Sequence, residues 1–116
     1  MALRAVPGPR DGWLDARGEA LWTTAWTVSP SSNRVGLRLE GSPLVRVRTG
    51  ELPSEAMVRG AVQVPPSGLP MVFLADHPVT GGYPVAAGLA DADADLAAQL
   101  RPGQAVRFVR LPRPRL

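Results

Sequence analysis

Polar residues that can bind or process a small ligand occur in four short segments of the chain. The first is SPSSNR, in which Asn33 and Arg34 directly precede a β-strand pattern. A guanidinium holds a carboxylate or another anion through a two-pronged set of hydrogen bonds, so Arg34 is a candidate for substrate binding or catalysis. Serine, proline and asparagine also form ordinary turns, and that structural interpretation stays open here.

The second segment, ELPSEA, places the carboxylate of Glu55 between a turn and an apolar stretch. If Glu55 is buried beside Arg34, it could form a structural ion pair with Arg34 or act as a general base, because both roles depend on burial and on a neighbouring charge. A solvated surface carboxylate is the alternative.

The third segment, GAVQVPPSG, sets Gln63 between Val62 and Val64, on the opposite side of a strand from both. A side-chain amide that points into a barrel mouth can recognise a carbonyl or ureido group through its donor and its acceptor. Gln63 could equally be a polar residue on the outer face, and the sequence leaves both interpretations open.

The fourth segment, ADHPVTGGYP, is the densest polar loop of the chain. Asp76 offers an acceptor and Thr80 a hydroxyl, while Gly81 and Gly82 can adopt positive φ and bring backbone N–H groups close to a ligand. The loop has neither the lysine nor the spacing of a phosphate-binding loop, and a Gly-Gly pair between strands also makes an ordinary turn.

Composition excludes several function classes. The 116 residues contain no cysteine and one histidine, His77, so we expect no metal site and no Cys or Ser-His-Asp nucleophile. The basic residues are all arginine, the net charge is only +3, and no basic face with interleaved aromatics is present, which argues against nucleic-acid binding. No signal peptide or membrane span is recognisable, so the expected location is the cytoplasm.

The elements that must position these residues are short strands, because thirteen prolines and twelve glycines interrupt the chain. Apolar residues alternate with charged ones at residues 34–40 and 45–48, and the run at residues 71–75 is typical of a strand buried on both faces. The first ten residues are expected to form an extended lead-in strand followed by a turn. The other expected elements are strands near residues 26–28, 62–64, 83–90 and 105–109, a short helix at 15–21 and a helix at 91–100. The sequence therefore predicts a mainly β fold, a small antiparallel β-barrel with one short helix near the C-terminus, as a single domain over residues 1–116 with a frayed tail at 111–116.

The four segments, together with PGPRDGW near the start, follow one another in an order that closely resembles the C-terminal half of the KipA family. That family is also known as allophanate hydrolase subunit 2, as the C subunit of 5-oxoprolinase, or as the biotin-dependent carboxyltransferase subdomain of urea carboxylase. The resemblance implies a cyclophilin-like β-barrel and covers the chain from about Leu3 to Phe108.

The resemblance also implies a component of an amide-processing enzyme, of the 5-oxoprolinase or urea carboxylase kind, that acts on a small amide. It implies a KipI-type partner subunit, a further LamB/YcsF-type subunit, and ATP or carboxybiotin at the level of the full complex. By this resemblance, three residues at the motif positions are expected to be catalytic: Arg34, Glu55 and Asp76. Six others are expected to bind the substrate: Asn33, Gln63, Thr80, Gly81, Gly82 and Tyr83.

Full-length members of this family are considerably longer than 116 residues, so we expect a fragment or a short homologue with an incomplete active site. The alternative function is a non-catalytic interaction module that binds the KipI-type partner through an apolar patch or an open strand edge, with Trp13 or Trp22 as contacts. Prolyl isomerase activity is disfavoured because the Arg/Phe/Gln/His groove of cyclophilins is not visible.

Overall fold

Short strands and short helices make up the chain in the computed structural model, which describes residues 1–48, 50 and 52–113. The strands are β1 (Ala2–Pro7), β2 (Trp26–Val28), β3 (Gly36–Glu40), β4 (Glu55–Ala56), β5 (Ala61–Gln63), β6 (Met71–Phe73), β7 (Thr80–Gly81), β8 (Val85–Leu89) and β9 (Ala105–Arg110). The α-helices are α1 (Glu19–Thr23) and α2 (Asp91–Ala97), and two single-turn 3-10 segments lie at Asp11–Trp13 and Asp15–Gly18. None of the helices in these ranges is long and apolar enough to cross a membrane.

Seven of these strands close into a barrel in the order β1-β8-β5-β6-β3-β2-β9. Every neighbouring pair is antiparallel except β1 and β9, which run parallel and join the two ends of the chain. The remaining strands, β4 and β7, form a separate two-stranded sheet. The predicted mainly β barrel with a short helix near the C-terminus is thus confirmed, and the parallel β1–β9 pair is the one departure from antiparallel pairing.

The core of the barrel follows from the period-two alternation of the strands. Val106 and Phe108 in β9 and Leu37 and Leu39 in β3 are buried, whereas the residue between each pair is exposed. Strand β6 is buried on both faces, because its inner face lines the barrel core and its outer face is covered by other residues. Trp26 lies fully buried in the core and donates its Nε1–H to the carbonyl oxygen of Leu21 at 3.0 Å.

Two expected elements differ from the structure. The helix expected at residues 15–21 begins later, at Glu19, because Ala16 and Arg17 adopt left-handed φ values of 49° and 54° that no right-handed helix accepts. The strand expected at residues 45–48 does not form: Arg46 makes an isolated bridge to Leu14, and both neighbouring valines are exposed. That segment finds no strand to pair with along its length, so its alternation pattern is not enough to make it part of the sheet.

Helix α2 is fixed to the barrel by a buried carboxylate in its first turn. The Oδ2 atom of Asp93 accepts a hydrogen bond from the backbone N–H of Arg4 at 2.6 Å, and its Oδ1 accepts from Nη2 of Arg4 at 2.7 Å. Hydrogen bonding to the Arg4 side chain lowers the pKa of Asp93 below its ordinary value of 3.8, against the opposing effect of burial. The ionised carboxylate is therefore the form that stabilises the fold.

We expect Asp93→Asn to destabilise the protein at neutral pH and to flatten its acid-side stability profile. Because the folded-state pKa is lowered, the contribution of Asp93 is present above its unfolded-state pKa and is lost as the pH falls through its folded-state pKa. Urea unfolding at a series of pH values measures both effects. Asp95→Asn in the same helix is the control, since its ion pair with Arg59 is exposed and its loss should cost no more than about 0.5 kcal/mol; equal losses and equal pH profiles for the two variants would contradict this role for Asp93.

The expected frayed tail lies partly outside the described residues, since 114–116 are not described. Before that point the chain still contacts the barrel. The backbone N–H of Leu111 donates to the carbonyl oxygen of Ala5 at 2.7 Å, and Nη2 of Arg113 donates to Oδ2 of Asp11 at 2.9 Å. Residues 111–113 are therefore held by hydrogen bonds.

Candidate functional site

A two-stranded flap, formed by β4 and β7, covers the outer face of the barrel beside β5 and β6. Beneath it lies a second apolar cluster, separate from the barrel core, made of Met57, Ala61, Met71 and Phe73. The ring of His77 stacks on Phe73 with 5.9 Å between centroids. The flap thus attaches the polar loop at residues 76–84 to the outside of the barrel.

Gln63 lies on this outer face, under the flap. Its neighbours Val62 and Val64 belong to the barrel core, so the alternation of the strand points Gln63 the other way. The residue is only 7% exposed, and a Cβ atom added to Gly81 would come within 3.0 Å of its Oε1. Of the two positions left open by the sequence, the structure has Gln63 on the outer face of the barrel. The flap covers it there, so its amide is buried and not solvated.

Glu55 pairs with Arg10 rather than with Arg34. The Nε and Nη2 atoms of Arg10 donate to Oε1 of Glu55 at 3.1 and 2.5 Å, and both side chains are about one-third exposed at 39% and 32%. Oε2 of Glu55 accepts no hydrogen bond from the residues that the structure describes. Arg10 thus fixes the carboxylate of Glu55 through Oε1, and Oε2 is left as an acceptor at the flap.

The glycines of the polar loop do not adopt the backbone conformation expected of them. Neither Gly81 nor Gly82 has a positive φ. Thr80 and Gly81 form strand β7, in which Gly81 lies opposite Glu55, so the loop is a paired strand and not a backbone cradle for an anion. Glycine at position 81 instead allows the strand to lie close to the side chains of Gln63 and Met57.

Arg34 and Asp76 meet at the end of the barrel where β3 begins. Their side chains approach to 3.3 Å, between Nε and Oδ2, while 85% and 56% exposed. Asn33 closes the adjacent turn by accepting hydrogen bonds from the backbone N–H groups of Val35 and Gly36 at 2.9 and 3.3 Å. Asn33 therefore acts in the turn, and Arg34 presents its guanidinium to solvent.

An open cleft of about 380 Å³ adjoins Arg34. Leu37, Leu74 and Leu100 contribute apolar walls, and Asn33 and Arg34 contribute the polar rim. A polar rim over an apolar floor is suited to a small organic ligand.

A second cleft, the Arg46 cleft, lies on another part of the surface. It measures about 490 Å³ and is lined by Arg46, Gly50, Leu52, Pro66, Gly82 and Tyr83. Arg34 and Tyr83, both expected to be site residues, therefore line different clefts in the described part of the chain. Arg10 and Arg46 are the two functional candidates that the sequence analysis does not single out. For Arg10 the only signal in the sequence is its place in the PGPRDGW motif.

No three carboxylate or histidine side chains in residues 1–48, 50 and 52–113 come close enough together to hold a metal ion. The polar groups that the fold does bring together are the Arg10–Glu55 and Arg34–Asp76 ion pairs and the amide of Gln63 under the flap. This arrangement can bind a carbonyl-containing ligand and accept a proton, provided that further residues close the site.

The described residues thus form a closed barrel with a polar flap and with open clefts on its surface. The chain belongs to the carboxyltransferase domain family, subdomain A and B, whose model matches residues 1–110.

Two relatives are similar over nearly the whole chain. It is 42% identical over 109 residues to the C subunit of 5-oxoprolinase from Escherichia coli strain K12, and 42% identical over 107 residues to that of Haemophilus influenzae strain Rd. These matches cover 93% and 91% of the chain. The chain spans about 35% of the length of either relative.

A solved structure supports the same relationship. The fold matches the urea carboxylase of Kluyveromyces lactis with a TM-score of 0.85 and 25% identity. The match covers 95% of this chain and 11% of that one. The same barrel is thus present within a much larger enzyme.

Proposed function

We propose that this chain is a component of an amide-processing enzyme that resembles 5-oxoprolinase and opens 5-oxoproline, a cyclic amide, to glutamate. The observation that carries the proposal is 42% identity, over nearly the whole chain, to two proteins named as the C subunit of 5-oxoprolinase. Because those names describe subunits, we infer that this chain also works with partner subunits. The KipI-type and LamB/YcsF-type proteins implied by the family resemblance are the proposed partners, and the cytoplasm is the proposed location.

Within this proposal, the described residues bind and position the substrate from one side. Arg34 holds a carbonyl oxygen and supplies positive charge as negative charge develops on that oxygen during attack. Oε2 of Glu55 accepts a proton, while Arg10 fixes the carboxylate through Oε1. Asp76 orients Arg34, and the buried Gln63 and the adjacent Gly81 position the flap that carries Glu55.

Arg34, Asp76 and Glu55 are all partly exposed on the surface of this chain, so a closed site requires surfaces from elsewhere. The family resemblance implies ATP or carboxybiotin in the full complex. The glycines at positions 81 and 82 do not form a phosphate cradle, since neither has positive φ and Gly81 is paired with Glu55. This loop therefore does not fit a nucleotide phosphate, and we assign ATP handling to surfaces outside these residues, either in partner subunits or in the part of the family's subunit that this chain does not span.

The test combines assembly with turnover. Size-exclusion chromatography with the KipI-type subunit should show a complex, and a mixture that also contains the LamB/YcsF-type subunit should convert 5-oxoproline to glutamate with ATP. Arg34→Ala should lower kcat/KM at least about tenfold, a loss of roughly 1.4 kcal/mol of transition-state stabilisation. Arg38→Ala, which removes another exposed arginine nearby, should leave kcat/KM within about twofold. Turnover that is indifferent to Arg34, or that falls equally in both variants, would remove Arg34 from the site.

A non-catalytic interaction module is the second candidate, and the flap favours it. Val79 is 81% exposed beside β7, and Val58 is also exposed beside β4, which leaves two apolar side chains on the flap for a partner. The contacts expected at Trp13 and Trp22 are less suitable, because both rings are partly buried and covered by arginines, Arg46 and Arg110. Complex formation with no turnover under the conditions above would favour this candidate.

A further inference from the structure

The guanidinium of Arg46, which lines the Arg46 cleft, has a hydrogen-bond donor that no described residue uses. The Nε–H of Arg46 is buried and has no acceptor among the residues that the structure describes. A buried donor without an acceptor is unfavourable. Arg46 as a whole is only partly buried and lines the open cleft, so the rest of its guanidinium can meet a ligand oxygen there. We propose that this cleft binds the carboxylate of a small organic anion and that Arg46 is the residue that recognises it.

Other arginines of the fold already have acidic partners. Arg4, Arg10, Arg34, Arg59, Arg110 and Arg113 each form an ion pair with an aspartate or glutamate. No such pair involves Arg46 within the described ranges, and the described residues that line its cleft include no carboxylate. Among the described residues of this lining, Arg46 is therefore the one charged group, which favours an anionic ligand beside it.

The guanidinium of Arg46 is also held in place before any ligand binds. It stacks on the ring of Trp13, with its Cζ atom 5.7 Å from the ring centroid. The backbone is fixed as well, because Val47 donates its N–H to the carbonyl oxygen of Trp13 at 2.9 Å and Arg46 bridges to Leu14. A guanidinium fixed in this way loses less conformational entropy when it binds a carboxylate.

The remaining walls indicate what the carboxylate is attached to. Leu52 and Pro66 are apolar, so they suit an aliphatic chain or ring. The hydroxyl of Tyr83, which is 44% exposed, can donate a hydrogen bond to a second polar group of the ligand. Gly50 has a φ of +112°, which other residues rarely adopt, and so allows the backbone turn at this wall. The ligand class is thus a small carboxylate with a compact, mostly apolar body.

The site itself does not depend on the proposed function, which supplies only the first probe, 5-oxoproline. The experiment follows the ¹⁵N–H signal of Arg46 Nε by NMR while the chain is titrated with 5-oxoproline, with its neutral carboxamide, and with cyclopentanecarboxylate. The carboxylates should give a saturable shift of this signal, and the carboxamide should bind at least about tenfold more weakly because it lacks the charge. Saturation by cyclopentanecarboxylate alone would support the anion site while counting against 5-oxoproline as its ligand.

Variants then assign the effect to Arg46. Arg46→Gln should raise the Kd at least about tenfold, and Arg46→Lys should also weaken binding because it keeps the charge and loses the planar fork. Arg48→Gln is the matched control, since it removes the same charge two residues away from an exposed position and should change the Kd less than about twofold. If Arg46→Gln does not fold, the Arg46→Lys variant and the wild-type Nε signal carry the test. No saturable shift, equal binding of the carboxamide, or equal losses in the Arg46 and Arg48 variants would overturn the proposal.

Discussion

Replacing Glu55 by glutamine is expected to reduce kcat/KM for 5-oxoproline in the assembled enzyme by about a hundredfold or more. A positioned general base commonly contributes a rate factor of about 10²–10⁴, and glutamine cannot accept a proton in this role. Glutamine has nearly the same shape, and its carbonyl oxygen can still accept the hydrogen bonds from Arg10 that now reach Oε1. The loss should therefore appear in turnover and not in folding or assembly.

Two measurements accompany this variant. Glu40→Gln, which alters an exposed carboxylate on β3, should keep kcat/KM within about twofold of the wild type. Size-exclusion chromatography should show the Glu55 variant in the same complex as the wild type. A Glu55→Gln complex with normal turnover would show that this carboxylate is only a structural partner of Arg10.

Replacing Trp26 by alanine is expected to destabilise the barrel by about 3–5 kcal/mol, a large part of the stability of a small domain. The indole is fully buried in the core and anchors the chain after α1 through its hydrogen bond to Leu21. Alanine leaves a cavity and also removes the donor for the Leu21 carbonyl. Urea unfolding monitored by circular dichroism measures the loss.

Trp22→Ala is the matched control for this prediction. Trp22 is only partly buried and packs edge-on against Phe108, with ring centroids 6.5 Å apart. Its removal should cost less than half as much free energy of unfolding. A loss at Trp22 as large as that at Trp26 would mean that the barrel core is not the main source of stability.

Much of the fold could be predicted because its signals are local. Alternation identifies β3 and β9 with their buried faces, the apolar run identifies β6, and acidic residues at its start identify α2. The closure of the barrel could not be predicted in this way. It depends on parallel pairing between Ala2–Pro7 and Ala105–Arg110, segments at opposite ends of the chain.

The candidate site is harder to predict for the same reason. Glu55 and Arg10 are 45 positions apart, so no spacing rule connects them. The sequence also does not show that β4 and β7 form a flap, because two-residue strands carry almost no periodic signal. Arg46 escapes notice because its alternation with Val45 and Val47 is typical of an exposed sheet residue, whereas its Nε atom is buried.

The most direct test of the proposed function is a segment exchange in a complete 5-oxoprolinase. Residues 1–110 of this chain would replace the matching segment of the Escherichia coli relative, with the same exchange from the Haemophilus influenzae relative as the control. We predict that both chimeric proteins assemble with their partners and support ATP-dependent conversion of 5-oxoproline to glutamate. A chimera with this chain that folds and assembles but turns over no 5-oxoproline, while the control chimera is active, would contradict the proposed function.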